Sequence, residues 1–533
     1  MTKLLKNPIL PGFYPDPSVC RKGNDYYLIT STFEYFPGIP VFHSKDFVHW
    51  HQIGHVLSRP EQLDLDGLPA SKGIYASSIF YNEEKDRFYV ISTLVKNGNY
   101  WDNVNFYVYA DDPEGPWSDP VVVKGAEGID PSLVFDGGKA CYLGNCRPHP
   151  DQPEKGRHIW LQELDLENGE LRGERHVLLK QGAFIHAAAP EGPHIYHIGA
   201  WYYLLIAEGG TFRNHACTVF RSRDLTGPYE PDPRNPLMTH RNLRRDYPIK
   251  NPGHGDIIQL HNGEWWAVLL ATRPVGGNYG NLGRETFAVP VEWEEEWPLF
   301  SPETGHVEFS YEAPRLPEHS WPEKPAWETF DSPRLSYDWI TVRTPRHEIY
   351  SLTDRPGCLR LFLHPNTIKE ELSCSFLGRR QQHMRFLVNT AMEFQPLQEK
   401  EAGGIVLLMN NHYHIRMEYG MFEGRREIRL TRCFNGQDQL TAAARWEKKV
   451  LYLKVTADYQ NFSFYFSGDN ENWNTLAGQT DGTLLSREVA GGYTGTVLGP
   501  YASSNGTESA NYADFSWFEY REWTGTQDES CRS

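Results

Sequence analysis

Apolar and polar residues alternate along residues 1–312, and the pattern restarts five times at an aromatic-rich doublet. The doublets lie about 53 to 63 residues apart, and most follow a turn signal such as Asn262-Gly263. They are Tyr26-Tyr27, Phe88-Tyr89, Cys141-Tyr142, Tyr202-Tyr203 and Trp265-Trp266. Each doublet opens an apolar run typical of a hairpin strand, and a repeat of this length is typical of a propeller blade. Because helical periodicity is scarce, residues 1–312 are predicted to form a five-bladed β-propeller.

A polar residue precedes each doublet by ten or eleven positions. In chain order these residues are Asp16, Ser77, Asp130, Glu191 and His254. Equivalent positions of different blades face the same central axis of a propeller. Three carboxylates that lie far apart in the sequence are therefore predicted to meet in one place.

The second half of the chain has a different pattern. Residues 313–326 are rich in proline and show little periodicity, which predicts a linker between domains. Residues 327–524 alternate again, but without a five-fold repeat. We predict a β-sandwich of the concanavalin (lectin-like) jelly-roll type there, so that the whole protein is all-β. The polar residues 525–533 are predicted to be a disordered tail.

Composition narrows the class of ligand and the cellular location. Aromatic residues make up 14% of the chain, including 16 Trp, and their ring faces suit carbohydrate. The formal net charge of −17 disfavours nucleic acid or an anionic membrane surface as a partner. No apolar run is long enough to span a membrane, and the N-terminus lacks a signal-peptide pattern. The eight cysteines lack metal-binding spacing, so free thiols in a reducing cytoplasm are predicted.

Two Asp-Pro-Ser triplets, at Asp16 and Asp130, occupy equivalent places in two blades. A structural turn would explain either triplet alone. However, other blades carry different residues at this position, including Glu191, so the turn does not require aspartate. Hydrolysis of a glycosidic bond needs one carboxylic acid and one carboxylate, and a third carboxyl group can adjust the pKa of the acid. The three residues therefore form a chemically complete set for a glycosidase.

The chain resembles the family 43 glycoside hydrolases, and closely their β-xylosidases, over nearly its whole length. The motifs are NPILPGFYPDPS at 7–18, GIDPS at 128–132, EGPHIY at 191–196, LIAEGGT at 205–211, PLMTHR at 236–241 and NLGRETF at 281–287. By this resemblance Asp16 is the general base, Glu191 the general acid, and Asp130 the residue that orients the acid and modulates its pKa. The family inverts configuration, so the base would activate a water molecule rather than attack the sugar.

The resemblance also implies a set of sugar-binding residues. Arg284 is similar to a pocket arginine that bonds sugar hydroxyls, Phe33 is similar to an aromatic wall, and Thr211 ends one of the motifs. Relatives usually carry tryptophan where this chain has Tyr75, which leaves the preference for the leaving-group sugar open. In relatives, the residue matching His254 lies under the pocket and contacts a water or a central calcium ion, and a purely structural histidine is the alternative. No cofactor is required by the expected chemistry.

These features predict an exo-acting, inverting β-xylosidase that releases xylose from the non-reducing ends of β-1,4-xylo-oligosaccharides. An α-L-arabinofuranosidase or a bifunctional enzyme is one alternative, because a five-carbon furanose presents similar hydroxyls. A fructan hydrolase or transferase would use the same residue types with retention of configuration. A non-catalytic carbohydrate-binding propeller is the alternative from a different class. The resemblance further implies that the second domain helps to close the pocket and that the protein forms a homo-oligomer, a dimer or a tetramer.

Overall fold

The computed structural model describes residues 3–97, 102–146, 157–184 and 189–523. Its N-terminal part contains five antiparallel sheets of four strands each, arranged one after another along the chain as the blades of a propeller. Blade 1 consists of Ser18–Lys22, Asp25–Ile29, Gly38–Ser44 and His51–Leu57, and blade 2 of Gly73–Asn82, Arg87–Val95, Val104–Ala110 and Val121–Val122. Blade 3 consists of Ser132–Asp136, Lys139–Cys146, His158–Asp165 and Glu170–Leu179. Blade 4 consists of Glu191–Ile198, Trp201–Glu208, Ala216–Ser222 and Glu230–Pro231, and blade 5 of Lys250–Gln259, Trp265–Thr272, Glu285–Glu294 and Trp297–Phe300.

The predicted repeat matches the second strand of every blade. Each aromatic-rich doublet lies in that strand, and the polar residue that precedes it lies in the innermost strand or within two residues before it. Alternate side chains of the middle strands are buried between neighbouring blades, as in the cluster that joins Ile29 of blade 1 to Val90 of blade 2. The prediction of a five-bladed propeller is confirmed.

The two ends of the propeller are joined next to blade 5. The short strand Leu4–Lys6 pairs with Ser310–Glu312, which follows the last blade. Asn7 then exchanges hydrogen bonds with Ala288, because its amide nitrogen donates to the Ala288 carbonyl and its amide oxygen accepts from the Ala288 N–H. The N-terminal segment therefore enters blade 1 already fixed to blade 5.

The C-terminal part is a sandwich of two antiparallel sheets, as predicted. One sheet has six strands, in the spatial order Arg379–Arg380, Val497–Ser503, Ala402–Asn410, Tyr413–Phe422, Arg425–Phe434 and Gln437–Arg445. The other has the order Tyr350–Ser351, Leu359–Phe362, Tyr512–Glu522, Arg385–Glu393, Val450–Asp458, Asn461–Ser467 and Trp473–Asp481, with Trp327–Glu328 also paired to Tyr512–Glu522. Fully buried side chains such as Leu407, Leu453 and Phe515 fill the space between the sheets. Their burial follows from the period-two alternation of the strands.

Helices are a minor part of the described chain. There are two single-turn 3₁₀ helices, Pro60–Gln62 and Thr483–Leu485, and one short α-helix, Arg487–Ala490. No helix in the described ranges is long and apolar enough to cross a membrane.

The two domains share a hydrophobic core as well as polar contacts. Thr341–Val342 of the C-terminal part pairs with Tyr35–Phe36 of the propeller as a two-stranded sheet. An apolar cluster continues across this junction and includes Phe13, Phe33 and Tyr35 from the propeller and Ile340, Phe376 and Tyr501 from the other side. Such a buried apolar interface favours a fixed arrangement of the domains over hinge motion.

The proline-rich stretch 313–326 runs along blade 1 without forming a strand. Trp321 anchors it there, because its indole N–H donates to the His49 carbonyl at 3.2 Å and its ring stacks on His51. The tail predicted at 525–533 lies outside the described residues.

Candidate active site

The innermost strands of the blades, together with the residues just before them, form the floor of a cavity of about 430 Å³ on the propeller axis. Asp16, Asp130, Glu191 and His254 all line this cavity. Asp16, Asp130 and His254 adopt left-handed backbone conformations, with φ of 54°, 55° and 49°. This conformation is uncommon for residues other than glycine, and Asp and His tolerate it better than most. Three blades thus use the same local bend to present a polar side chain, and the predicted meeting of the three carboxyl groups is observed.

Blade 2 departs from this register. Ser77 is turned away from the cavity, because its hydroxyl donates to Ser92 Oγ at 2.9 Å, and Ser92 Oγ in turn donates to the Tyr75 carbonyl at 2.8 Å. Tyr75 and Ala76 line the cavity in its place. The small alanine leaves room where the other blades place a charged or polar group.

Asp16 is held in its charged form by donors on several sides. Arg284 donates from Nη1 to Oδ1 at 2.8 Å and from Nη2 to Oδ2 at 3.2 Å, and Ser31 Oγ donates to Oδ2 at 2.8 Å. His254 Nδ1 lies 3.4 Å from Oδ1. Burial opposes ionisation, but the charge of Arg284 and the hydrogen bond from His254 outweigh it, so the pKa of Asp16 lies well below its ordinary value. Asp16 is therefore a carboxylate at neutral pH.

Asp130 has the opposite electrostatic surroundings. Burial and the nearby charge of Glu191 raise the pKa of Asp130 to about 7, although the charge of His254 acts in the other direction. Neighbouring buried carboxyl groups disfavour double ionisation, because each charge repels the other in a medium of low dielectric constant. Asp130 therefore holds a proton over much of the range below neutral pH, next to the residue predicted to act as the acid.

Glu191 forms an ion pair with a residue that the sequence did not single out. Nη1 of Arg157 donates to Oε2 of Glu191, and both side chains line the cavity. The carboxylate is also positioned by its backbone, because Glu191 opens the innermost strand of blade 4 and pairs in register with Ala207. The acid predicted from the sequence is thus placed in the cavity together with an arginine.

His254 packs tightly beneath the carboxyl groups. A Cβ atom on Gly192, which has φ of +58°, would lie only 2.6 Å from His254 Nε2, so the glycine next to Glu191 is required by the imidazole. Burial disfavours the charged imidazole, but the hydrogen bond and the negative charge of Asp16 outweigh burial and raise the pKa of His254. His254 is therefore a hydrogen-bonding partner of Asp16 rather than an isolated residue under the pocket.

A central calcium ion fits these residues poorly as direct ligands. Calcium takes six to eight oxygen ligands, whereas His254 offers nitrogen. The carboxylate of Asp16 is already engaged by Arg284 and Ser31. That of Asp256 accepts from Ser18 Oγ at 2.8 Å and from the Tyr196 hydroxyl at 2.6 Å.

Outside the cavity, one group of described side chains has metal-like spacing: His414, Cys433 and Asp438 in the sandwich domain. Arg416 occupies it, since its Nη1 lies 2.9 Å from His414 Nε2 and its Nη2 donates to Asp438 at 2.9 Å. A guanidinium in this place disfavours a second cation.

Aromatic rings from both domains form one wall of the cavity. The ring of Phe33 lies 4.9 Å from that of Tyr75 and 5.9 Å from that of Tyr493, centroid to centroid. Tyr493 belongs to the sandwich domain, and its carbonyl accepts a hydrogen bond from Arg284 Nε at 3.2 Å. The second domain therefore completes the pocket, as the family resemblance implied. Thr211 lies on the same side, with Oγ1 3.4 Å from Arg284 Nη1.

A second set of equivalent positions lines the cavity above the first. It is the residue immediately before the third strand of a blade: Asn103 in blade 2, Arg157 in blade 3, His215 in blade 4 and Arg284 in blade 5. Only Arg284 was predicted from the sequence. The loop between the second and third strands differs in length from blade to blade, so these residues keep no constant distance from the aromatic doublets. A sequence signal exists only once the third strands have been located.

Comparison with known proteins agrees with this architecture. Residues 5–298 match the model of the glycosyl hydrolases family 43, and residues 328–521 match the beta xylosidase C-terminal concanavalin A-like domain. A xylosidase/arabinosidase of Butyrivibrio fibrisolvens is 40% identical, with 97% of this chain and 99% of that protein covered. A non-reducing end alpha-L-arabinofuranosidase of Bacteroides ovatus is also 40% identical, with 97% and 95% covered.

A solved structure gives the same result in three dimensions. The xylan beta-1,4-xylosidase of Bacillus halodurans superposes with a TM-score of 0.91 at 34% sequence identity, and the match covers 97% of this chain and 100% of that one. Both domains and their relative placement are thus shared. The chain belongs to family 43 of the glycosyl hydrolases and is a glycosidase.

Proposed function

We propose that the protein is an exo-acting, inverting β-xylosidase that removes xylose from the non-reducing ends of β-1,4-xylo-oligosaccharides. The observation that carries the proposal is the contrast between the catalytic carboxyl groups. Asp16 is buried and kept ionised by Arg284, whereas Asp130 holds a proton beside Glu191. General acid–base hydrolysis needs an ionised base and a carboxyl group that delivers a proton; Asp16 meets the first requirement, and Glu191 is assigned the second, with the protonated Asp130 in the same cavity.

In the proposed reaction, Asp16 accepts a proton from a water molecule as the water oxygen forms a bond to the anomeric carbon. The bond from the anomeric carbon to the glycosidic oxygen breaks, and Glu191 gives its proton to that oxygen. Asp130 lines the same cavity and has the role of orienting and modulating the acid. The product leaves with inverted configuration at the anomeric carbon.

The pocket favours removal of one sugar at a time. The wall of Phe33, Tyr75 and Tyr493 closes the side of the cavity next to Arg284. The donors of Arg284 and Thr211 face the same space and can bind hydroxyls of a small, neutral sugar. A short blind end of this kind suits the terminal residue of a chain rather than its middle.

An α-L-arabinofuranosidase activity is the second candidate. It is favoured by the names of two relatives that share 40% identity over almost the full chain, a xylosidase/arabinosidase and an alpha-L-arabinofuranosidase. Tyr75 lines the cavity where relatives usually have tryptophan, so this wall is where the two sugars would be distinguished.

Steady-state kinetics on two nitrophenyl glycosides and on xylobiose test the proposal. We expect kcat/KM for 4-nitrophenyl β-D-xylopyranoside to exceed that for 4-nitrophenyl α-L-arabinofuranoside, and xylobiose to yield xylose. A higher value for the arabinofuranoside would establish the second candidate instead. Lack of turnover on all three would contradict both.

We further propose that the enzyme works in the cytoplasm, without a cofactor and as a homo-oligomer. The seven described cysteines are all free thiols, which suits a reducing compartment. Light scattering would give the oligomeric state, and activity unchanged by a chelator would agree with a reaction that needs no metal.

A further inference from the structure

Two arginines of the propeller occupy the same position in different blades. Arg157 directly precedes the third strand of blade 3, and Arg284 directly precedes the third strand of blade 5. Each arginine reaches across to the first strand of the next blade around the ring. Arg284 pairs with Asp16 of blade 1, and Arg157 pairs with Glu191 of blade 4. The base and the acid are therefore held by equivalent arginines.

The two pairs differ in their access to solvent. The side chains of Arg284 and Asp16 are each 5% exposed, whereas those of Arg157 and Glu191 are 14% and 16% exposed. The Arg157–Glu191 pair therefore lies nearer to the mouth of the cavity, where a bound sugar could replace one of its partners.

We propose that Arg157 binds the sugar on the leaving-group side and that Glu191 is released from the ion pair when that sugar is bound. This inference rests on the proposed function, because it assigns a role at the same site. A general acid must lie against the glycosidic oxygen, so a side chain that touches Glu191 near the mouth lies beside the departing sugar. A guanidinium has five donors and can exchange a carboxylate for two hydroxyls without loss of hydrogen bonds.

The charges around Glu191 are compatible with this exchange. The groups whose charges act on this part of the cavity are Asp16, Asp130, Arg157 and His254. When Arg157 turns to the sugar, the carboxyl group of Glu191 leaves the ion pair and can lie against the glycosidic oxygen. Binding of the leaving-group sugar and release of Glu191 from its ion pair would then occur together.

The proposal makes Arg157 a specificity residue for the leaving group. A sugar leaving group needs both a proton from the acid and hydrogen bonds to its hydroxyls. A nitrophenolate leaves readily without a proton and offers no hydroxyl in the same place. Loss of Arg157 should therefore harm the hydrolysis of xylobiose much more than that of a nitrophenyl xyloside.

The test compares kcat/KM on xylobiose and on 4-nitrophenyl β-D-xylopyranoside for the wild type, Arg157→Met and Arg157→Lys. Methionine removes the charge and donors but keeps much of the volume. We expect Arg157→Met to lower the xylobiose value about 10- to 100-fold, the size expected for lost hydrogen bonds to a charged group, and the nitrophenyl value less than about 3-fold. Arg157→Lys should recover part of the loss on xylobiose only.

Arg284→Met is the matched control, because it removes the equivalent arginine from the base. It should lower kcat/KM on both substrates by similar factors. The melting temperature of each variant shows whether it is folded. A folding defect would reduce the activities on both substrates equally, unlike a specific loss on xylobiose. Equal losses for Arg157→Met on the two substrates, or no loss on either, would overturn the proposal.

The substrate preference of the wild-type enzyme shows whether a failure concerns the role of Arg157 or the proposed xylosidase activity. If the wild type prefers arabinofuranosides, the xylosidase assignment fails. The test of Arg157 then compares kcat/KM on an α-1,5-linked arabinobiose with kcat/KM on the nitrophenyl arabinofuranoside, for the same variants. A wild type that cleaves nitrophenyl glycosides but no disaccharide has no leaving-group sugar site, which overturns the role of Arg157.

Discussion

An arginine–carboxylate pair lies between blades 5 and 1, and a second lies between blades 3 and 4. The two pairs differ in their exposure to solvent and in their neighbours. Arg284 and Asp16 are each 5% exposed and are locked by contacts that extend into the second domain. Arg157 and Glu191 are about three times as exposed and lie next to Asp130, the carboxyl group whose pKa is raised to about 7. The same arginine position thus holds a buried, ionised carboxylate between blades 5 and 1 and a more exposed carboxyl group between blades 3 and 4.

The difference follows from what surrounds each pair. Asp16 has positive partners on two sides, Arg284 and His254, so burial strengthens its negative charge rather than removing it. Asp130 is buried and feels the negative charge of Glu191, so burial and repulsion raise the pKa of Asp130. The assignment of base and acid therefore rests on the neighbours of each carboxyl group.

The largest expected effect comes from removing Asp16 and Glu191 one at a time. Asp16→Asn removes the base and should lower kcat on xylobiose and on a nitrophenyl xyloside alike, by about 100-fold or more. Glu191→Gln removes the acid and should cause a comparable loss on xylobiose but a much smaller one on the nitrophenyl substrate. Equal losses on both substrates for Glu191→Gln would contradict the division of roles.

Removal of Arg284 tests what keeps the base ionised. In Arg284→Met, burial of Asp16 is no longer offset by the guanidinium, so the pKa of Asp16 should rise. The acidic limb of the pH profile of kcat/KM should then move toward neutral pH, with a loss of about 10- to 100-fold at the optimum. An acidic limb at the same pH as in the wild type would show that His254 and Ser31 are enough to keep Asp16 ionised.

The backbone under the acid gives a third test. Gly192→Ala would place a Cβ 2.6 Å from His254 Nε2 and should lower both activity and melting temperature, by about 1–3 kcal/mol in stability. Gly199→Ala is the matched control in the same blade, because Gly199 also has a positive φ, +62°, but no atom lies within 4 Å of its added Cβ. The control should show only the backbone cost of about 1 kcal/mol and full activity.

The smallest expected effect is on stability. The pKa of Asp130 is raised to about 7 in the folded protein from an ordinary value of 3.8, so the folded state binds the proton more tightly than the unfolded state does. Asp130 therefore costs stability progressively as the pH rises from about 4 to 7. Asp130→Asn should melt about 1–3 °C higher than the wild type at pH 8 and about equally at pH 4, with activity greatly reduced. A lower melting temperature at pH 8 would indicate that Asp130 is stabilised by partners instead.

Much of the fold could be predicted from the sequence, because blade strands are short, local and repeated. The doublets marked the second strands, and the polar residues ahead of them marked Asp16, Asp130, Glu191 and His254 on the axis. The register was wrong in blade 2, where Ser77 bonds to Ser92 and the cavity is lined by Tyr75 and Ala76 instead. The hairpin after this strand has a four-residue turn, 83–86, against the two-residue turn 199–200 in blade 4, so counting back from the doublet reaches Ser77, whereas the residue in register with Glu191 is Tyr75.

Other parts of the site depend on distant segments and were not predictable. Arg157, Asn103 and His215 follow loops of unequal length, so no spacing identifies them. Tyr493 reaches the cavity from the second domain, which requires the docking of the domains to be known. The neighbours that set each pKa are brought together only by the folded ring.

The anomeric configuration of the first product tests the central claim most directly. If Asp16 activates a water molecule while Glu191 protonates the leaving oxygen, proton NMR during the first minutes of hydrolysis of 4-nitrophenyl β-D-xylopyranoside, which releases a single sugar, will show α-xylose before mutarotation produces the β form. Initial release of β-xylose would show retention of configuration. It would make Asp16 a nucleophile and contradict the account.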